Sequence, residues 1–477
     1  MKHDHAWKRS DLSGIPAALL KWYDLNRRCL PWRGDSPPFL VPIHSREPGY
    51  VASNAVSPYA TWVSEIMCQQ TRVDTVVQYF TKWMEVFPTI ETLANADPDQ
   101  VNSVWAGLGY YRRARMLHQG AKYVMEKFNG EMPSDVESLK SIPGIGPYTA
   151  GAIASVAFQQ VEPLVDGNVI RVFSRLRAIG GDPNHKPLLK HCWDSGKQLI
   201  DENRPGDFNQ ALMELGATVC SIQTPSCESC PVKDFCLAYA QVDSKKISVP
   251  SADEIECSLC DLSRLDEWGI PGGPVTQYPL KTRKKAPRNE VLNVVVLYQQ
   301  NSDDIEDRKY LMIKRAEGGL LAGQWEFPSL KVCDDEEAIP AYTERKPITN
   351  DQLASVLCTK ADKLDALIVH RRDQGELVHV FSHVKHHMGI EEVQVNWPDG
   401  KLLGDDSVAR WMTSDDMKQV GITTGMKKVL QLVTKVEPKG RSKNASSRSV
   451  KAKVAAASNT KPITSFFQFA AKDPKSE

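Results

Sequence analysis

The chain has 477 residues, with 59 basic against 59 acidic side chains and eleven cysteines. That length supports two or three domains with filled cores, and a net charge of zero by itself argues for no partner, so basic faces have to be sought locally. No apolar run reaches a membrane span and the start, MKHDHAWKRS, is not a signal peptide, so the cysteines read as metal ligands or free thiols of a soluble intracellular protein.

Residues 10–35 read as a helix (IPAALLKWYDLNRR) leading into Leu30-Pro31-Trp32-Arg33. Residues 36–57, rich in proline and small residues, read as a long loop or insertion. Ser57-Pro58 starts a helix whose apolar positions Tyr59, Val63, Ile66 and Met67 follow a helical period, with Glu65 in its middle. Amphipathic helices follow at about 72–87, 98–107 and 111–128, the last two separated by the turn Gly107-Leu108-Gly109-Tyr110-Tyr111. Ser134 and Glu137 have capping-box spacing for a short helix running into Ile142-Pro143-Gly144-Ile145-Gly146. Two glycines two apart, followed by Pro147 at the first position of a helix to about Phe158, predict a tight turn with outward N–H groups suited to a phosphate. Asp166 stands just after that helix, and further helices are predicted at about 168–178, 187–202 and 207–219. The first domain, residues 1–240, is all-α.

Polar residues, Gly and Pro dominate 241–288, an interdomain connector in which five of the eight residues 281–288 are Lys or Arg. Residues 289–436 form an α+β domain: EVLNVVVLYQQ, KYLMIKRA and ELVHVFSHVKHHM are β-rich runs, and 350–358 and 415–433 look helical. Residues 437–477 are Ser, Ala and Lys rich and are expected to be disordered, apart from a small apolar island at Ile463, Phe466 and Phe467.

Three features carry chemistry. Cys220, Cys227, Cys230 and Cys236 lie within seventeen residues, and four thiolates at this density hold zinc or an iron–sulfur cluster; spacing alone does not decide between them. Cys257-x2-Cys260 in the connector is half of a further metal site. Glu65, on an otherwise apolar helix, and Asp166 are paired carboxylates, one suited to remain a proton donor near neutrality and the other to face a cationic sugar. Taken singly, a surface glutamate and a helix-capping aspartate are the simpler readings.

The glycine turn followed by Asp166 resembles the helix-hairpin-helix DNA glycosylases. The cysteine spacing is similar to that of the [4Fe–4S] cluster in their endonuclease III and MutY branch. Trp62-Val-Ser-Glu65-Ile-Met-Cys-Gln-Gln-Thr71, Gly107-Leu-Gly-Tyr-Tyr111, Val165-Asp-Gly-Asn168 and the segment Phe208 to Cys220 resemble MutY-type adenine DNA glycosylases over about residues 15–240. In the second domain, Gly319 to Pro328 and Phe381-Ser382-His383 resemble that family's Nudix-like C-terminal domain.

The resemblance implies removal of adenine mispaired with 8-oxoguanine or guanine in double-stranded DNA. Glu65 would protonate the adenine and help activate water; Asp166 would stabilise the oxocarbenium ion or form a transient adduct; Tyr148 and Asn168 would support that transition state. Arg28, Leu30, Trp32, Arg33 and Glu214 match positions around the flipped adenine. Gln70, Thr71, Leu108 and Tyr110 match residues at the duplex beside 8-oxoguanine, Gly144 and Gly146 form the phosphate turn, and Phe381, Ser382 and His383 would read the oxidised base. Tyr148 stands where strand-cleaving relatives keep a lysine, so a monofunctional glycosylase is implied. The family's pyrophosphatase box is not visible, and the second domain is expected to hydrolyse nothing.

Animal members hold zinc in the connector with additional cysteines; here Ser174 stands where a distant cysteine ligand is expected. Cys68 departs from the usual leucine of the Glu65 helix. The tail motif at Ile463, Phe466 and Phe467 resembles the peptide that plugs into the replication sliding clamp, with threonine in place of the first glutamine. The resemblance further implies the checkpoint clamp and an AP endonuclease as partners on the connector, a monomer, and a nuclear and mitochondrial distribution. The basic run Lys439 to Lys453 reads either as a nuclear signal or as a solvated tail with DNA affinity, and no Arg-rich mitochondrial presequence is evident at the N-terminus. A glycosylase for mismatched thymine or oxidised pyrimidine, and a catalytically dead damage binder, are the competing readings; the Phe381-Ser382-His383 domain argues against the first and the paired carboxylates against the second.

Overall fold

The computed structural model describes residues 5–434 except 48, 53–54, 243–256, 284–285, 301, 303, 317–320, 335, 382, 398–401 and 403–405. Ser382, Gly319, the basic run Lys439 to Lys453 and the tail residues Ile463, Phe466 and Phe467 therefore lie outside the described residues. The chain divides into two compact units.

The first unit is built of helices α1 Arg9–Asn26, α2 Pro58–Cys68, α3 Val73–Val86, α4 Ile90–Ala94, α6 Arg112–Phe128, α7 Val136–Ser141, α8 Pro147–Phe158, α9 Gly167–Leu176, α10 Lys186–Leu199, α11 Pro205–Thr218, α12 Leu237–Val242 and α13 Leu265–Trp268. Helix α5, Pro98–Trp105, and the turn after it cluster with the second unit. Small residues let α8 sit at the centre: Ala150, Ala152, Ile153 and Ala154 are fully buried. A Cβ on Gly151 would meet the Pro163 carbonyl oxygen at 2.4 Å, so a glycine is needed for that close approach.

Helix ends differ from the sequence expectation where the caps differ. The N-cap of α7 is Asp135, whose side chain accepts from Ser138 N, and not Ser134. An aspartate brings a full negative charge to the helix N-terminus, which outcompetes the hydroxyl. Residues 257–283 are also more structured than a connector of polar, Gly and Pro residues suggests. Cys260, Trp268, Val275, Tyr278 and Leu280 are buried in the same core as α1, α9 and α11. These anchors are irregularly spaced, so no period betrays them.

Among the described residues, the second unit has one seven-stranded sheet ordered β3-β2-β1-β6-β5, with β4 on β1 and β7 on β2. The strands are β1 Arg288–Gln299, β2 Lys309–Lys314, β3 Trp325–Glu326, β4 Ser329–Asp334, β5 Ile368–Val380, β6 Val384–Val395 and β7 Ala409–Met412. Only β1 and β6 pair in parallel; the other pairings are antiparallel. The stretch 294–298 of β1 is a continuous apolar run because both faces of the strand are covered. Leu292, Val294, Val296 and Tyr298 face the cluster containing α16, Thr424–Thr434, whereas Val295 and Leu297 face that of α14, Tyr342–Val356, and α15, Ala361–Leu367. α14 begins eight residues before the predicted start at 350, and the 415–433 helix is a short turn, Asp416–Lys418, followed by α16.

Candidate active site

Glu65 lies on α2, and the serine cap fixes where that helix begins: Ser57 accepts from Ala60 N, with Pro58 at the first turn. Helices α2 and α8 pack together, bringing the Tyr148 hydroxyl into a hydrogen bond with Glu65 Oε2. The same hydroxyl lies 3.3 Å from the sulfur of Met213 on α11. Burial pushes the Glu65 carboxyl up to about 7; the Tyr148 hydrogen bond opposes this and the negative charge of Asp166 adds to it. A carboxylic acid at that value is half protonated at neutral pH, as a proton donor requires.

Asp166 is the N-cap of α9, its Oδ1 accepting from Val169 N at 2.8 Å, while Asn168 Nδ2 donates to Oδ2 at 2.7 Å. Asp166 is therefore a helix cap, as the simpler reading of the sequence had it. Burial raises its carboxyl above the ordinary aspartate range, and the hydrogen bonds from Val169 and Asn168 offset only part of that rise. Asn168 is itself held by Arg171, whose Nη2 donates to Asn168 Oδ1 at 2.9 Å and to Gly216 O at 2.6 Å. Arg171 Nε reaches Cys220 O at 2.9 Å, so one guanidinium joins the aspartate's partner to the cysteine loop.

The segment matched to the adenine pocket is an ion cluster. Glu214, 2% exposed, takes Arg28 Nε at 2.7 Å, Arg28 Nη2 at 3.1 Å and Arg33 Nη2 at 3.1 Å. Arg33 and Arg28 hold the Glu214 carboxyl down at about 2 against its burial. Arg33 also donates to Gln210 Oε1 at 2.9 Å and to Arg28 O at 3.0 Å. Leu30 is buried, and Trp32 packs edge-on against Phe80 at 5.3 Å.

The residues expected at the duplex fall into two kinds. Gln70 and Tyr110 are exposed and have left-handed backbones, φ 55° and 48°, a shape that throws a side chain out from a turn. Thr71 and Leu108 are held in: Thr71 Oγ1 accepts from Arg113 at 3.1 Å, and Leu108 is 6% exposed. Arg113 also donates to Ile66 O and Met67 O, tying down the end of α2 beyond Glu65. In the hairpin between α7 and α8, Ile142 and Ile145 are buried while Gly144 is exposed with φ 87°. Gly146 is the N-cap of α8 and offers no side chain to the helix N–H groups.

Cys220, Cys227, Cys230 and Cys236 line one cavity with Arg175 and apolar side chains such as Leu176, Leu215 and Val232. Arg175 Nη1 lies 3.3 Å from Cys220 Sγ and donates to Ser221 O at 2.6 Å. Four thiols around one apolar cavity, with a guanidinium to offset thiolate charge, fit a four-cysteine metal group. Elsewhere, Cys257 and Cys260 are joined by His5, the ligand atoms of all three lying within 4.8 Å of one another. His5 Nδ1 is 2.8 Å from Arg177 O, which leaves Nε2 toward the sulfurs. Ser174 is fully buried and brings no thiol; the third group beside these sulfurs is a histidine 252 positions from Cys257.

Sequence reasoning missed His5, Arg171, Arg175 and Met213. Arg171 and Arg175, four apart on α9, did carry a signal, since that spacing puts both on the face toward Cys220. His5 carried none.

In the second unit, Phe381 N donates to Val384 O at 2.8 Å, closing the turn that joins β5 to β6. Phe381 and His383 thus sit in a hairpin turn, and Arg288 N donates to His383 O at 3.1 Å.

An all-helical unit with a glycine hairpin, a glutamate carboxyl set against a tyrosine hydroxyl, a capping aspartate and a cysteine loop has the arrangement of a DNA base-excision glycosylase. The model of the HhH-GPD superfamily base excision DNA repair protein matches residues 63–198, and the NUDIX domain model matches 296–432. The adenine DNA glycosylase of Mus musculus is 38% identical over 433 residues, covering 89% of this chain and 78% of its own. That of Schizosaccharomyces pombe is 34% identical, covering 88% and 89%. A solved thermostable thymine-DNA glycosylase aligns at 24% identity and TM-score 0.41 over 48% of this chain and 97% of its own. The chain belongs to the adenine DNA glycosylase family.

Proposed function

We propose that the chain hydrolyses the N-glycosidic bond of adenine mispaired with 8-oxoguanine or guanine, without cleaving the strand. The observation that carries this is the Glu65 carboxyl, buried against Tyr148 and near Asp166, with a value of about 7. Glu65 protonates the departing adenine at N7 and afterwards helps deprotonate water. Asp166, whose anion accepts from Val169 N and the Asn168 amide, faces the sugar as its bond to the base breaks and positive charge grows. Tyr148 holds Glu65 in position and, having no amine, forms no Schiff base, which accounts for the missing strand-cleaving step.

Flipping the adenine costs a few kcal/mol of stacking and pairing. Gln70 and Tyr110 compensate by entering the duplex, and the N–H groups around Gly144 and Gly146 hold a phosphate. Phe381, Ser382 and His383 read the oxidised base opposite. Arg28 and Arg33, locked by Glu214, form one wall of the adenine pocket with Leu30 and Trp32.

Cys220, Cys227, Cys230 and Cys236 would hold a [4Fe–4S] cluster, which supplies a rigid cross-link for the loop and a redox-active centre rather than hydrolytic chemistry. His5, Cys257 and Cys260 would hold zinc, a borderline-soft ion suited to mixed nitrogen and sulfur donors. The sliding clamp would be bound through Ile463, Phe466 and Phe467, the checkpoint clamp and AP endonuclease through the connector, by a monomer working in nucleus and mitochondrion. The domains would run 1–240, 241–288, 289–436 and 437–477.

The test is a panel of duplexes carrying adenine opposite 8-oxoguanine, adenine opposite guanine, thymine opposite guanine, and an oxidised pyrimidine. Abasic sites are expected in the adenine duplexes alone, with strand breaks only after alkali. Excision of the pyrimidines, or strand breaks without alkali, would overturn the reading.

A further inference from the structure

The turn at Phe381 is gripped from beneath. Its ring lies edge-on between two histidines, His379 at 4.6 Å and 87° and His386 at 4.9 Å and 69°. His379 and His386 are direct partners across β5 and β6, and His386 is in turn the register partner of Glu290 in the parallel pair β1–β6. One row of side chains therefore crosses three strands and ends under the Phe381 ring.

Both inner members of the row are buried, His386 at 4% and Glu290 at 7% exposed. His386 Nε2 lies 3.2 Å from Glu290 Oε2, a close approach without hydrogen-bond geometry. Glu290 is itself held by Arg288 at 2.8 Å and Lys331 at 3.4 Å. On the other side, the first turn of α16 closes on His379: a Cβ on Gly425 would lie 3.2 Å from His379 Cδ2. Aromatic rings meeting edge to face fix each other's orientation as well as filling space.

Resting on the reading of this turn as the reader of the base opposite adenine, we propose that His386 and Glu290 are positioning residues for that readout. His386, braced by Glu290, sets the angle of the Phe381 ring and so of the turn. A loosened ring costs the enzyme its preference for 8-oxoguanine over guanine while leaving the adenine chemistry in the first unit intact.

The experiment compares single-turnover adenine excision and duplex affinity on A:8-oxoguanine and A:guanine substrates for wild type, His386→Ala, His386→Phe, Glu290→Gln and Phe381→Ala. His386→Ala is expected to lower the preference for 8-oxoguanine about tenfold, through the 8-oxoguanine duplex alone. His386→Phe, which keeps a ring against Phe381, should retain the preference. Native preference in His386→Ala, a parallel loss on both duplexes, or His386→Phe as deficient as His386→Ala would each overturn the proposal. Should His386→Ala fail to fold, Glu290→Gln decides: a reduced preference supports the brace and an unchanged one removes it. Phe381→Ala separates the two layers. If it keeps full preference, the assignment of the turn itself fails; if it loses preference while His386→Ala does not, only the brace fails.

Discussion

Glu65 and Asp166 are chemically the same group placed in two different electrostatic settings. Glu65 has one neutral hydroxyl partner and a neighbouring negative charge, so burial wins and its carboxyl rises to about 7. Asp166 is raised by burial as well, but a backbone N–H and an amide aimed at it offset part of that rise and favour its anion. The acid must be protonated and the aspartate ionised, so excision should fall as pH rises through about 7 and fall again in acid as Asp166 takes up a proton. A single-turnover pH profile checks this, and Asp166→Asn should abolish activity at every pH. Glu214 is the opposite case. It is a carboxylate that two arginines hold at about 2, and Glu214→Ala would leave Arg28 and Arg33 charged and partly buried without a counterion. The expected cost is about 3–5 kcal/mol, read as a loss of melting temperature together with activity. The acids themselves were legible in the sequence because of the words around them. Met213, whose sulfur lies against the Tyr148 hydroxyl, was not, because packing between α8 and α11 creates that contact and no local pattern announces it.

At the scale of elements, the helical period found most of the first unit and the β-rich runs found the sheet. The errors lie at ends and turns, where one competing cap or one buried anchor decides. Asp135 displaces Ser134 as a cap. The β-rich run ELVHVFSHVKHHM is the β5–β6 hairpin, closed by Phe381 N donating to Val384 O. The glycine hairpin was read correctly for a physical reason: Gly144 has φ 87°, and an added Cβ would lie 2.8 Å from Met116 Cβ. Gly144→Ala should therefore cost about 1–3 kcal/mol of stability through strain and the clash. It should also weaken duplex binding while leaving the Glu65 pH dependence unchanged, which affinity and pH profiles together would separate.

At the scale of the whole molecule, the four-cysteine loop and the segment 257–283 both belong to the core of the helical unit. The first was legible from spacing; the second was not, because Cys260, Trp268 and Tyr278 anchor it without periodicity. His5 reaches this segment from the other end of the chain, and a contact between positions so distant leaves no trace in either local pattern. Elemental analysis of purified protein should find iron at about four per chain, lost in Cys227→Ser together with thermal stability. Zinc alone in the wild type would replace the cluster with a four-thiolate zinc site.

The central claim is that Glu65 delivers the proton that lets adenine leave. Its most direct test is single-turnover excision on a duplex with adenine opposite 8-oxoguanine, comparing wild type with Glu65→Gln, which keeps the size and loses the acid. Abasic product from the wild type and none from the variant, with both binding the duplex, is the predicted result. Equal excision by the two proteins would contradict the assignment of the acid. Tight binding by wild type with no adenine released would contradict the reading of the chain as an enzyme.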